Sequence, residues 1–329
     1  MMKMYRDKDI DDQILIDKTI AIIGYGIQGR AQALNTRDSG FNIVLGLREG
    51  GPSWKKAEKE GFEVFTIDEA TKIGDIIHIL IPDEEQPGVY DMQIRNNLER
   101  GKAISFSHGF NIHFERIVPP DYVDVIMVAP KGPGESVRES YLKGTGLPAL
   151  FAVYQDYTGK ARELALAFSK AIGFSRTGVI ETTFREEVET DLFGEQVVLC
   201  GGATELIKAG FETLVEAGYQ PELAYYECLY ELKLIVDLIW CKGIEGMWDS
   251  VSSTAEYGGR TRGKMIINDE VKNAMKRILD DIQTGRYAKE WITEFDSNYK
   301  ILKDLRKREK EHPIESVGRR IRKLASGNK

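Results

Sequence analysis

The sequence predicts two joined folds, a doubly wound α/β domain over residues 1–182 and an all-α domain over 183–329. Three observations predict this. Short apolar, β-branched runs alternate with helical stretches through the first half. A glycine turn, GYGIQG, stands between the first such run and the first helix. After Thr183 the strand pattern stops, and glycine turns separate long stretches of helical periodicity.

Residues 18–23 read as a short buried strand, 30–39 as a helix and 42–47 as a second strand. With the glycine turn at 24–29 they form the strand–turn–helix–strand order of a Rossmann dinucleotide-binding unit. Gly24 allows the tight turn, Gly26 lets the backbone approach a pyrophosphate, and Gly29 lets the helix pack closely on the strand. The helix N-terminus offers N–H groups to the phosphates. Where an NAD-selective site usually carries an acid, the second strand ends in Arg48, which suits a 2′-phosphate; Ser53 adds a hydroxyl donor. Glu49 repels a phosphate. The residues therefore favour NADPH, with NADH also accepted.

Further strands are predicted at 75–81, 102–107 and 123–129, each followed by a polar or glycine-bearing loop: PDEEQ at 82–86, HGF at 108–110 and PKGPG at 130–134. In a doubly wound sheet such loops line the ligand crevice, so His108 and Lys131 face the nicotinamide end. His78 lies in the middle of an apolar strand and reads as structural, and His113 and His312 carry no motif. Residues 147–155 and 175–182 continue the strand pattern around a helix at 159–171. The helical half follows with apolar-periodic stretches at 184–217, 221–241 and 269–284. A polar loop, SVSSTAEYGGRTRG, is expected at 250–263, of the kind that contacts substrate.

Two carboxylate pairs carry the chemistry of this half. Asp191 and Glu195 stand four residues apart, as do Glu227 and Glu231, so each pair projects from one face of a helix. The first pair lies in an acid-rich stretch that alone reads as a solvated face. The helix around Glu227 is apolar almost all round and is expected to be buried. Buried paired carboxylates repel unless a proton or cation lies between them, which suggests a hard divalent metal, Mg²⁺ first.

The composition is that of a soluble globular protein: 42% hydrophobic, 29% charged, net charge −7. That charge excludes a basic nucleic-acid surface, and no run is long enough to span a membrane. A cytoplasmic location is expected. Cys200, Cys228 and Cys241 make no CxxC pattern and lie in apolar stretches, so buried free thiols are expected. The basic tail, 303–323, also carries acids and reads as a solvated helix or a frayed end.

Taken in order, GYGIQG, SHGFNIHF, APKGPG, DLFGEQ, ECLYELK and SVSSTAEYG resemble the ketol-acid reductoisomerase (acetohydroxyacid isomeroreductase) family, short class I form. The resemblance spans roughly residues 19–263. It implies a Rossmann domain followed by a knotted helical domain, and a homodimer with shared active sites, or a higher assembly built from it. It implies that Asp191, Glu195, Glu227 and Glu231 hold two Mg²⁺ ions, with Asp191 bridging. Glu227, Glu231 and Ser252 would then come from the partner, Ser252 and Glu231 touching substrate. His108, Lys131 and Glu231 would be the catalytic groups. Gly24, Tyr25, Gly26, Ile27, Gln28, Gly29, Arg48, Ser53, Asp83, Glu84, Glu85, Gln86 and Gly134 would hold NADPH. Where family members often carry lysine and serine, this chain has Glu49 and Gly51, both of which weaken support for a 2′-phosphate. The implied reaction is alkyl migration of 2-acetolactate or 2-aceto-2-hydroxybutyrate, then reduction to a 2,3-dihydroxy-3-methyl acid in valine and isoleucine synthesis. Two rivals share parts of this pattern: a metal-free β-hydroxyacid dehydrogenase using a lysine, and a nucleotide-sensing protein without turnover.

Overall fold

The computed structural model describes residues 3–325. It divides into two compact units, one ending at Thr190 and the other beginning at Asp191, so the division falls inside the helix Phe184–Gly194.

The first unit is built on a sheet whose described strands are β1 (Met4–Tyr5), β2 (Thr19–Ile23), β3 (Asn42–Gly46), β4 (Glu63–Phe65), β5 (Ile76–Ile79), β6 (Ala103–Phe106), β7 (Asp124–Pro130), β8 (Ala149–Gln155) and β9 (Val179–Glu181). Their order is β1-β9-β8-β7-β6-β5-β2-β3-β4. From β4 across to β7 every neighbouring pair is parallel, whereas β8 runs antiparallel to β7 and β1 antiparallel to β9. Side chains alternate between the faces: Ile20 and Ile22 join one apolar cluster, Ala21 and Ile23 the other. Strands covered on both faces read as unbroken apolar runs, which is why β2, β5 and β7 were legible. The chain leaves β2 towards β3 and β4, then returns to β5 on the other side of β2. That reversal opens a crevice at the carboxyl ends of β2 and β5.

Three local details differ from the sequence reading. β1 and β4 are too short to leave a periodic signal. The last predicted strand is confined to Val179–Glu181, because Phe174–Arg176 forms a 3₁₀ turn. The first helix starts at Ile27, so the end of the glycine turn is already helical.

The second unit is helical. After the π turn Glu195–Leu199 come Gly201–Glu216, Pro221–Tyr225, a π turn at Tyr226–Tyr230, Glu231–Trp248, Ser253–Ile266, Asp269–Gln283, Arg286–Asp296, Lys300–Glu311 and Pro313–Ala325. Phe211, Ala224, Tyr225, Ile314, Val317 and Ile321 form its core cluster. The tail is therefore not frayed: its last helix buries an apolar stripe at i, i+3, i+7, while its charges stay outside.

Three further expectations are corrected here. The segment expected as a loop at 250–263 is mostly helix, started by Ser252, whose hydroxyl accepts from the Ala255 N–H at 3.2 Å. Gly259 in that helix lies so close to Trp248 that a Cβ would stand 2.5 Å from the indole. The cysteines are free but not buried: Cys200 and Cys241 are exposed and Cys228 half-buried. The apolar helix around Glu227 is not covered within this chain, since Tyr226, Tyr230, Leu234, Val236 and Trp240 are all exposed. No helix among the described residues is long and apolar enough to cross a membrane.

Candidate functional site

β6 and β7 are parallel neighbours, Phe106 pairing with Met127, and the residues just beyond their carboxyl ends are Ser107–His108 and Lys131. Glu187, on the helix Phe184–Gly194, joins the two. Its side chain is 2% exposed. His108 Nδ1 donates to Oε2 at 3.0 Å, the Gly109 N–H donates to the same oxygen at 3.2 Å, and Lys131 Nζ donates to Oε1 at 3.2 Å. A carboxylate only accepts, so the proton of the His108 bond sits on Nδ1. Burial alone drives the Glu187 carboxyl upward. The His108 bond, the His108 and Lys131 charges and the Gly109 amide outweigh it and hold the carboxyl below its ordinary value.

Glu187 was missed in the sequence because the acids of 181–195 read as a solvated face. A signal was present. Phe184, Val188 and Leu192 are buried at i, i+4 and i+8, and Glu187 and Asp191, each one position earlier, flank that stripe one turn apart.

At the glycine turn, Gly24 has φ +105° and Gly29 packs so that a Cβ would lie 2.3 Å from the Gly24 carbonyl oxygen. A Cβ on Gly26 would meet nothing within 4 Å. The first and third glycines are thus needed by the chain itself, and the second leaves open space for a ligand. Gly26 caps the helix without a side-chain acceptor, so the first-turn N–H groups are left for a ligand or solvent. A cavity of about 350 Å³ opens there, lined by Tyr25, Gly26, Ile27, Arg30, Ala31, Pro52, Ser53, Lys56, Gly134, Glu135 and Arg138. Among its cations, Arg30 pairs with Glu60 at 2.9 Å and Arg138 with Asp38 at 2.6 Å. Lys56, which the sequence reading did not single out, makes no ion pair among the described residues. Arg48 and Glu49 are exposed and lie outside the lining.

The segment after β5 is braced from within. Gln86 is buried, donates to the Ile81 carbonyl at 2.9 Å and to Asp83 Oδ1 at 3.0 Å, and accepts from Asn111 at 2.9 Å. Asn111 also donates to the Asp83 carbonyl. Glu84 is half-buried and Glu85 exposed.

In the second unit, Asp191 and Glu195 are half-buried, and Glu227 and Glu231 are exposed. Glu195 opens the first π turn; Glu227 lies in the second, with Glu231 just beyond it. Single π turns inserted in α-helices are frequent at functional sites, and one carboxylate of each pair, Glu195 and Glu227, lies in one.

Two family models match the chain: acetohydroxy acid isomeroreductase, NADPH-binding domain, over residues 14–178, and ketol-acid reductoisomerase, C-terminal domain, over residues 184–326. A ketol-acid reductoisomerase (NADP(+)) of Methanocaldococcus jannaschii is 60% identical over 324 residues, covering 98% of each chain. One from Pyrococcus abyssi is 59% identical over 325 residues, covering 99% of this chain and 98% of its own. A solved structure of an NADH-preferring ketol-acid reductoisomerase from an uncultured archean is 54% identical, with TM-score 0.96, and covers 98% of this chain and 99% of its own.

Proposed function

The chain belongs to the ketol-acid reductoisomerase family, and from that premise we propose that it isomerises and reduces 2-acetolactate or 2-aceto-2-hydroxybutyrate with two Mg²⁺ ions and with NADPH, NADH also being accepted. As a family member it is an oxidoreductase using NAD(P)H on a small-molecule substrate. Asp191, Glu195, Glu227 and Glu231 offer only carboxylate oxygens, a donor set that suits a hard ion. In this reading the four carboxylates would hold the ions, with Glu227, Glu231 and Ser252 contributed by a second copy. The exposed apolar helix supports the pairing: Trp240 is 80% and Val236 53% exposed, surface that a lone chain rarely leaves bare. The knotted threading of the helices and a cytoplasmic location belong to the same reading.

When bound, the ions supply Lewis-acid polarisation of the ketone and hydroxyl, and the nicotinamide supplies hydride. The chain's own groups do the rest. Glu231 takes the hydroxyl proton as the alkyl group migrates and returns a proton to the new alkoxide. Lys131 and the Nε2 side of His108 form a positive, proton-donating wall, and Glu187 fixes the orientation of both. Gly24–Gly29, Ser53 and Gly134 hold the dinucleotide, with Arg48 and the segment 83–86 at its edges.

The buried Glu187 carboxylate joining His108 and Lys131 beside the crevice carries this reading. Following absorbance loss from NADPH and from NADH with 2-acetolactate, with and without Mg²⁺, tests it. Oxidation only with metal is expected, faster with NADPH. Oxidation that survives a chelator would instead favour a metal-free dehydrogenase.

A further inference from the structure

The first unit holds a second polar chain, of which the mechanism uses only the end residue, Gln28. His78 lies in the middle of β5 among Ile76, Ile77 and Ile79, and is fully buried, as is Gln32. Its Nδ1 is 2.9 Å from Ser105 Oγ and its Nε2 2.9 Å from Gln32 Oε1. A carboxamide oxygen only accepts, so Nε2 carries the proton and Nδ1 accepts from the Ser105 hydroxyl. Gln32 Nε2 then donates to Gln28 Oε1 at 3.2 Å and to Ser107 Oγ at 3.0 Å. Gln28 Nε2 donates in turn to the Gly132 carbonyl at 3.0 Å. The bonds run in one direction, from β6 through the sheet to the loop after β7. Burial keeps the imidazole neutral, its pKa pushed down to about 3, and Phe168 packs edge-on at 4.9 Å.

Both ends of the last bond lie next to residues that line the cavity, Gln28 just after Ile27 and Gly132 two before Gly134. Gln28 is in the first turn of the helix that follows the glycine turn, and Gly132 is in PKGPG. Gly134 of that loop approaches so closely that a Cβ would lie 2.5 Å from the Ile27 carbonyl oxygen. The two loops thus meet at one backbone contact and one side-chain bond, and the chain from His78 ends in that bond. Isoleucine at position 78 would fill the strand but remove the 2.9 Å donor to Gln32 Oε1, leaving it only the 3.5 Å contact from the Ser107 hydroxyl. A neutral imidazole donates on one side and accepts on the other, which sets the direction of every later bond.

We propose that His78 is a positioning residue for the dinucleotide: through Gln32 and Gln28 it fixes the Gly132 carbonyl, and with it the spacing of the two loops that grip the cofactor. This rests on the reading of the cavity as the NAD(P)H site.

The test is a double-mutant cycle on the full chain, with NADPH affinity, the KM for 2-acetolactate and the melting temperature measured for each variant. His78→Phe keeps a ring beside Phe168 and removes the N–H; Gln28→Met cuts the chain at its half-buried end. Each should weaken NADPH binding by about five- to tenfold, the scale of one hydrogen bond. The double variant should bind no more weakly than the worse single, because both cut one chain. The KM for 2-acetolactate should stay within about twofold. Tight NADPH binding by His78→Phe, or losses that simply add, would overturn the proposal. Wild-type protein that binds no dinucleotide would overturn the cavity reading and the proposal with it. If His78→Phe does not fold, the ¹⁵N resonance of His78 Nε2 decides. NADPH should shift it in the wild type and not in Gln28→Met; no shift in the wild type overturns the proposal.

Discussion

Replacing Glu187 with glutamine preserves volume and removes a buried charge, and its consequences follow from three bonds. In the native chain Oε2 receives His108 Nδ1 at 3.0 Å and the Gly109 N–H at 3.2 Å, and Oε1 receives Lys131 Nζ at 3.2 Å. With its oxygen at the Oε2 position, glutamine retains the first two bonds but turns an NH₂ group towards the Lys131 ammonium. The opposite orientation sets that NH₂ against two donors and is worse. The Lys131 bond is lost, at about 1.5–3 kcal/mol for a bond to a charged group, and the His108 bond loses the strength that the charge added. Lys131 is one-third exposed, so water recovers part of its loss. A destabilisation of about 2–3 kcal/mol should result. Turnover should fall on the order of 10²-fold, because His108 and Lys131 lose their common anchor. The sign with pH follows from the depressed carboxyl of Glu187. Its stabilisation is fully present above the unfolded value of about 4.3 and is lost as pH falls through the lower folded value. Melting temperatures of both proteins at pH 7 and below pH 4, with steady-state rates at neutral pH, check this. Equal melting temperatures at pH 7, a gap that does not narrow in acid, or unchanged turnover would refute the reasoning.

Glu231→Gln should abolish metal-dependent isomerisation and leave NADPH affinity within about twofold, as read by turnover and by cofactor titration. Lys56→Gln, which removes the cavity cation without an ion pair, should raise the KM for NADPH on the order of tenfold and leave that for NADH almost unchanged. Parallel shifts for both cofactors would mean that Lys56 does not meet the 2′-phosphate. Trp240→Glu should convert the proposed assembly to single chains in light scattering, because it places a charge in the exposed apolar helix face. Ile321→Ala, in the core cluster of the second unit, should cost about 2–4 kcal/mol in that unit's denaturant unfolding.

Local pattern was enough for the sheet's central strands, the glycine turn and the change to an all-helical second half, because each has a period or turn that neighbouring residues express. The position of His108 and Lys131 just beyond strand ends was legible for the same reason. Glu187 was not: an acid beside a buried stripe looks like any solvated acid until His108 and Lys131, far along the chain, arrive to bind it. Lys56 and the Gln32–His78 chain were hidden in the same way. The helix around Glu227 shows the opposite failure. Its apolar circumference was read correctly, but burial depends on what covers it, and this chain alone leaves it exposed. By itself, then, the sequence determined the two folds, the glycine turn and the spacing of the carboxylate pairs, all set by spacings of a few residues. Only the tertiary structure decided which polar groups are buried and paired, because desolvation and hydrogen bonding depend on partners brought together from distant parts of the chain.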